Sequence, residues 1–152
     1  MTLSNSRLIM IKALKKLVVP YLREHDFKGS FPHFRRQNEE NIDLVTFQFN
    51  RYGGSFVVEL AVCGKNGTTM SWGEEVPPNK VTAHDVSFDD RFRLREDIYG
   101  TDDNDCWFHY EEAKTDEDFE VVALKILECI QDVSDRSWIK KLVAMNEWRW
   151  LS

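Results

Sequence analysis

Apolar residues recur at three- and four-residue steps near the start of the chain. Leu8, Ile11, Leu14, Leu17, Val18, Tyr21 and Leu22 fall on one stripe, which predicts an amphipathic helix over residues 4–25 with Lys12, Lys15, Lys16 and Arg23 on its wet side. Pro20 lacks an amide hydrogen and should kink the last turns. The helix should end near His25, where Asp26, Gly29 and Ser30 supply loop residues and Gly29 is free to take an unusual backbone angle.

The period then falls to two. A strand is expected over Ser30–Gln37, followed by a polar turn at residues 38–41. From Asp43 to Val62 apolar residues take alternate positions on both sides of Arg51-Tyr52-Gly53-Gly54. A four-residue connection there sets Asn50 opposite Ser55, Phe49 opposite Phe56, Phe47 opposite Val58 and Val45 opposite Leu60. Carried back across residues 38–41, the register puts Phe34 opposite Val45. The opposite face is mixed: Arg35, Thr46, Gln48 and Glu59 stand beside Leu44, Val57 and Ala61. Gln48 and Glu59 there either line a shallow site or face solvent.

Residues 64–80 show no periodicity and read as a long loop, in which Met70 and Trp72 either tuck back onto the domain or present an anchor to a partner. Two further strands are expected over His84–Leu94 and Cys106–Glu111, joined by an acidic, turn-rich loop. Thr115 then caps a helix with Asp116, Glu117 and Asp118 in its first turn and a stripe of Phe119, Val122, Ala123, Ile126, Leu127, Ile130 and Val133. A second capping position at Ser134 or Asp135 suggests a break before a final helix. The expected fold is α+β: one domain over residues 1–152, with a single antiparallel sheet of about five strands between residues 30 and 111. It is packed by the N-terminal helix and by one or two C-terminal helices over residues 115–149.

Composition narrows the function classes. The formal net charge of -6 argues against a dedicated nucleic-acid binder and suits a partner with a basic surface. Acidity concentrates in residues 102–120, where Lys114 is the one lysine among the carboxylates. That stretch reads either as a solvated face or as a landing patch for a cationic surface. The first apolar run is broken by lysines, so neither a signal peptide nor a membrane span is expected, and the cytoplasm is the expected compartment. Cys63, Cys106 and Cys129 are odd in number and far apart, as reduced core thiols would be.

Catalytic signatures are missing: no phosphate-binding glycine loop, no His-Glu-x-x-His, no paired Cys-x-x-Cys. No metal, no cofactor and no enzymatic activity are expected, although strand-borne His33 and His109 could converge. Adjacent carboxylates such as Asp89 and Asp90, or Glu111 and Glu112, would point to opposite faces of a strand. Arg91, Arg93 and Arg95 alternate with Phe92 and Leu94. They would either form a phosphate-reading row with Trp107 and Phe108 as stacking platforms, or pair across strands with Glu59, Glu111 or Asp105.

The order Leu14-x-x-Leu17-x-x-Pro20-x-Leu22, Phe27, Phe34-Arg35-Arg36, Phe47-Gln48, Tyr52-Gly53-Gly54 and Phe56-x-Val58-x-Leu60-x-Val62 resembles the bacterial domain of unknown function 4304 family. Arg91-x-Arg93-Leu94 and Asp105-x-Trp107-Phe108 continue the resemblance, which spans about residues 10–145. The chain departs from that pattern at Asp26, where a Gly is usual, at Glu59, where an Asn is usual, and at Phe108, where a second Trp is common. The resemblance implies an α+β domain without an established activity, some of whose members look like proteins encoded beside toxins.

The leading expectation is therefore a non-enzymatic, protein-binding domain, an immunity protein that covers a toxin's active site. Its contacts would come from Asp102, Asp103, Asp105, Glu111, Glu112, Met70 and Trp72. The alternative is a small-ligand or nucleotide-binding domain using Arg35, Gln48, Glu59, Arg91, Arg93 and Trp107. Self-assembly through the Trp-rich C-terminus is a third reading.

Overall fold

A computed structural model describes residues 3–87, 91–95 and 106–135. The N-terminal helix divides as Pro20 requires, into α1 (Leu3–Leu17) and α2 (Val19–Glu24). Pro20 cannot donate to the carbonyl four residues back. The bonds Val18 N–H to Leu14 O (2.9 Å) and Leu22 N–H to Val18 O (3.2 Å) carry the chain across the break. Asp26 follows with φ +71°, the left-handed conformation that glycine adopts most readily.

The expected strand over Ser30–Gln37 is two strands. β1 (Lys28–Ser30) turns through Phe31-Pro32 and pairs back on β2 (His33–Gln37), with Gly29 opposite Phe34. Pro32 has no amide hydrogen to give a ladder, so a strand cannot run through it unbroken. β3 (Asn41–Phe49) and β4 (Ser55–Gly64) form the long hairpin with the register expected from the sequence. Phe49 faces Phe56, Phe47 faces Val58, Val45 faces Leu60, and Phe34 faces Val45 across β2. Asn50 N–H closes the turn on Ser55 O at 2.9 Å.

Residues 64–80 are not a plain loop. They contain a small antiparallel hairpin, β5 (Thr68–Thr69) with β6 (Glu75–Val76). The expected strand over His84–Leu94 is likewise altered: Ala83–Asp85 form a 3-10 turn, capped by Thr82, and among the described residues of the stretch Arg91–Arg93 pair as β7. The capping bonds Thr82 N–H and Oγ1–H to Asp85 Oδ2 explain why this stretch turns, because a side chain that bonds its own backbone competes with a ladder. β8 shrinks to Phe108–His109. The sheet runs β1-β2-β3-β4-β7, all antiparallel, with β8 pairing the start of β4.

Helix α3 (Asp116–Asp135) begins as its first turn predicts. Thr115 Oγ1 accepts the Asp118 amide at 3.2 Å, and the Asp118 carboxylate accepts the amides of Lys114 and Thr115 at 2.9 and 3.1 Å. Those two backbone donors hold the Asp118 carboxyl below its usual range. The expected final helix and the Trp-rich terminus lie outside the described residues.

The helices α1 and α3 cover one face of the sheet. Met10, Leu14 and Val18 meet Phe119, Ala123, Ile126 and Ile130 over Phe34, Val45, Phe47, Phe56, Val58 and Leu60. Segment 65–87 folds over part of the other face, burying Ile42, Leu44, Ala61 and Cys63 under Val81, Ala83 and Val86. This second, smaller cluster decides what the mixed face becomes.

Candidate functional site

On the face away from the helices, strand register lines up four polar residues: His33 on β2 pairs Thr46 on β3, Thr46 pairs Glu59 on β4, and Glu59 pairs Arg93 on β7. Glu59 is 5% exposed rather than solvent-facing, because segment 65–87 folds back and brings His84 over it. His84 Nε2 lies 3.1 Å from Glu59 Oε2, Arg91 Nη1 lies 3.7 Å from the same oxygen, and Arg93 Nε donates to Oε1 at 3.4 Å. Oε2 is buried without an aligned hydrogen bond, and the Arg91 guanidinium and the His84 imidazole stand closest to it.

The row continues through hydrogen bonding and ring contact. His33 Nδ1 and Thr46 Oγ1 are 2.9 Å apart, and the rings of His33 and His84 meet edge to face at 5.9 Å. Burial, with the charge of His84 next, lowers the His33 pKa, against an opposing pull from Asp85.

The residues expected to form a ligand face are thus only partly together. Glu59 gathers Arg91 and Arg93, which realises cross-strand pairing of the arginine row. Trp107 lies under Arg93, with 5.7 Å between the guanidinium carbon and the ring centroid. Arg35 is on β2, two strands from Glu59, and donates through Nη1 to Asn79 O, while Gln48 faces solvent two residues from Thr46. His109 does not meet His33. It pairs with Ser55 on the far side of β4 and sits 3.0 Å from Glu111.

Of the expected partner-binding residues, Trp72 stands at the tip of the β5–β6 hairpin, 69% exposed, its indole N–H donating to Glu74 Oε2 at 3.0 Å. Met70 is half-buried at the same hairpin. Glu111 and Glu112 are exposed at the other end of β4, where they line a groove of about 420 Å³ with Asp118 and His109. The ten residues of β4 separate the two ends by roughly 30 Å. Asp102, Asp103 and Asp105 lie outside the described residues.

His33, Thr46 and His84 were not singled out from the sequence as members of one site. The register alone would have joined His33, Thr46 and Glu59, since it fixes their pairing. No pattern in residues 64–87 announces that His84 arrives over Glu59.

Among the described residues no group of three or more His, Cys, Asp or Glu is arranged to hold a metal ion, and no helix is long and apolar enough to cross a membrane. The family described as domain of unknown function (DUF4304) matches residues 18–149, most of the chain. The chain belongs to the DUF4304 family. No curated protein and no solved structure matches it. The DUF4304 match covers the whole β2–β3–β4 meander, the arginine row and α3, so the Glu59 cluster lies within the family's domain rather than on an appendage.

Proposed function

We propose that this DUF4304 protein is a non-enzymatic, cytoplasmic binding domain that anchors a protein partner through Trp72, with Glu74 and Glu75 steering a basic surface onto the hairpin. The observation that carries the reading is the exposure of Trp72 at a hairpin tip, oriented by Glu74 and flanked by exposed carboxylates. A large aromatic held in one orientation by a hydrogen bond loses little freedom on docking, which is why such side chains dominate binding energies. In the finer form of the proposal the partner is a toxin whose active site the hairpin covers. The net charge of -6 supports a cationic partner.

The test is co-purification of tagged wild type and Trp72→Ala from the native lysate at low and high salt, followed by reconstitution with the recovered partner. A stoichiometric complex with a basic protein, weakened by salt and lost in Trp72→Ala, is expected. A complex that keeps its affinity in Trp72→Ala would remove the anchor.

A further inference from the structure

A groove of about 450 Å³ runs between the β5–β6 hairpin, the end of β4 and the 3-10 turn. Its walls are rich in donors: the hydroxyls of Thr68, Thr69, Ser71 and Ser87, the imidazole of His84 and the guanidinium of Arg91. His84 and Arg91 are also the groups within 3.1 and 3.7 Å of Glu59 Oε2, while Glu59 itself does not line the groove. The two basic side chains therefore stand between a buried carboxylate and the opening. A carboxylate behind them fixes their rotamers before any ligand arrives, which reduces the ordering cost of binding.

Arg91 Nη1 also donates to Ala83 O at 3.4 Å, tying the guanidinium to the turn that carries His84. Asp85 lines the groove as well, but its Oδ2 is engaged by the amide and hydroxyl of Thr82 at 2.9 and 3.2 Å.

We infer that this groove binds a small phosphate-bearing ligand, its oxyanion held by Arg91 and His84 and completed by the groove hydroxyls. A tetrahedral phosphate offers three oxygens to donors arriving from three directions, whereas a planar carboxylate offers two, and guanidinium geometry suits either oxyanion. The site does not depend on the Trp72 surface.

Inorganic phosphate and glycerol 3-phosphate, titrated separately and followed by amide NMR of the full chain, test the inference. Saturable shifts are expected at residues 68–71 and 84–87. Tighter binding of the ester would mean that the groove also contacts the organic part. Equal binding would mean that it reads the anion alone. Either places a phosphate there. Arg91→Gln should weaken binding about tenfold or more, the loss of one charge-assisted hydrogen bond. Because that variant also removes a cation from Glu59, Thr69→Val at the exposed groove wall provides a second, gentler variant, expected to weaken binding several-fold with the fold intact. Lys12→Gln, on the distant face of α1, should bind as wild type does. Absence of saturable shifts at these amides, or equal binding in wild type, Arg91→Gln and Thr69→Val, would overturn the site.

Discussion

Glu59 brings a negative charge to a position 5% exposed, where His84, Arg91 and Arg93 surround it. Removing that charge leaves Arg91 largely buried beside a neutral amide, while half-exposed Arg93 turns to water at small cost. Glu59→Gln should therefore lower stability by about 2 kcal/mol, read as an earlier urea midpoint at unchanged slope. A change within about 0.5 kcal/mol would mean that the ion cluster contributes no more than an ordinary surface pair. His33 supplies a pH dependence whose sign follows from its lowered pKa. The unfolded chain takes up a proton near pH 6.5, whereas the native imidazole resists it down to a lower pH. The contribution is present in full above pH 6.5 and is lost as pH falls through the folded value. Urea midpoints of wild type should thus decline on acidification below that point, and His33→Gln should flatten the decline; parallel curves for the two proteins would rule out His33 as its source.

At the level of elements, the segment over the mixed face depends on one close approach. Gly67 has φ +94°, and a Cβ built there would stand 2.0 Å from Val76 O. Gly67→Ala should open the β5–β6 pairing at a local cost above about 1 kcal/mol, raising amide exchange at Thr68, Thr69 and Val76 while Ile126 and Ile130 keep their protection. Loss of protection throughout α3 would show instead that the segment and the helices unfold together. Elements with their own period were legible in advance: the α1 helix, the β3–β4 register down to single pairs, and the Thr115 cap, although the α1 stripe was set off by part of a turn, since Leu8 is 64% exposed and Met10 is buried in its stead. Elements defined by what they pack against were not. Thr68–Thr69, Glu75–Val76 and Ala83–Asp85 are too short to show a period, and their conformation is set by β4 and by the Thr82–Asp85 bonds. The same division runs through the site. Thr46 opposite Glu59 was implied by the hairpin, whereas His84 reaches Glu59 only because the segment folds back.

Across the whole molecule, charge and aromatic exposure are distributed between two ends of β4. If Trp72 is the anchor, Glu74→Lys with Glu75→Lys should slow association with the partner about tenfold at low salt, the difference shrinking as ionic strength rises. Glu111→Lys with Glu112→Lys, roughly 30 Å away by strand length, should change the rate less. Stopped-flow rates for the two double variants decide which end meets the partner, and a larger effect at Glu111 and Glu112 would move the interface to the α3 end. The two sides of the sheet also differ in depth. Among the described residues, seven buried apolar residues make up the cluster between segment 65–87 and the sheet, against twenty-one in the cluster between the helices and the sheet. The three cysteines, none in a disulfide, sample this gradient: Cys106 is half-exposed, Cys63 belongs to the shallow cluster and Cys129 to the deep one. The chain consequently carries its own chemical clock, since a thiol reagent should label Cys106 at once, Cys63 at the rate the segment lifts, and Cys129 only when the entire fold opens.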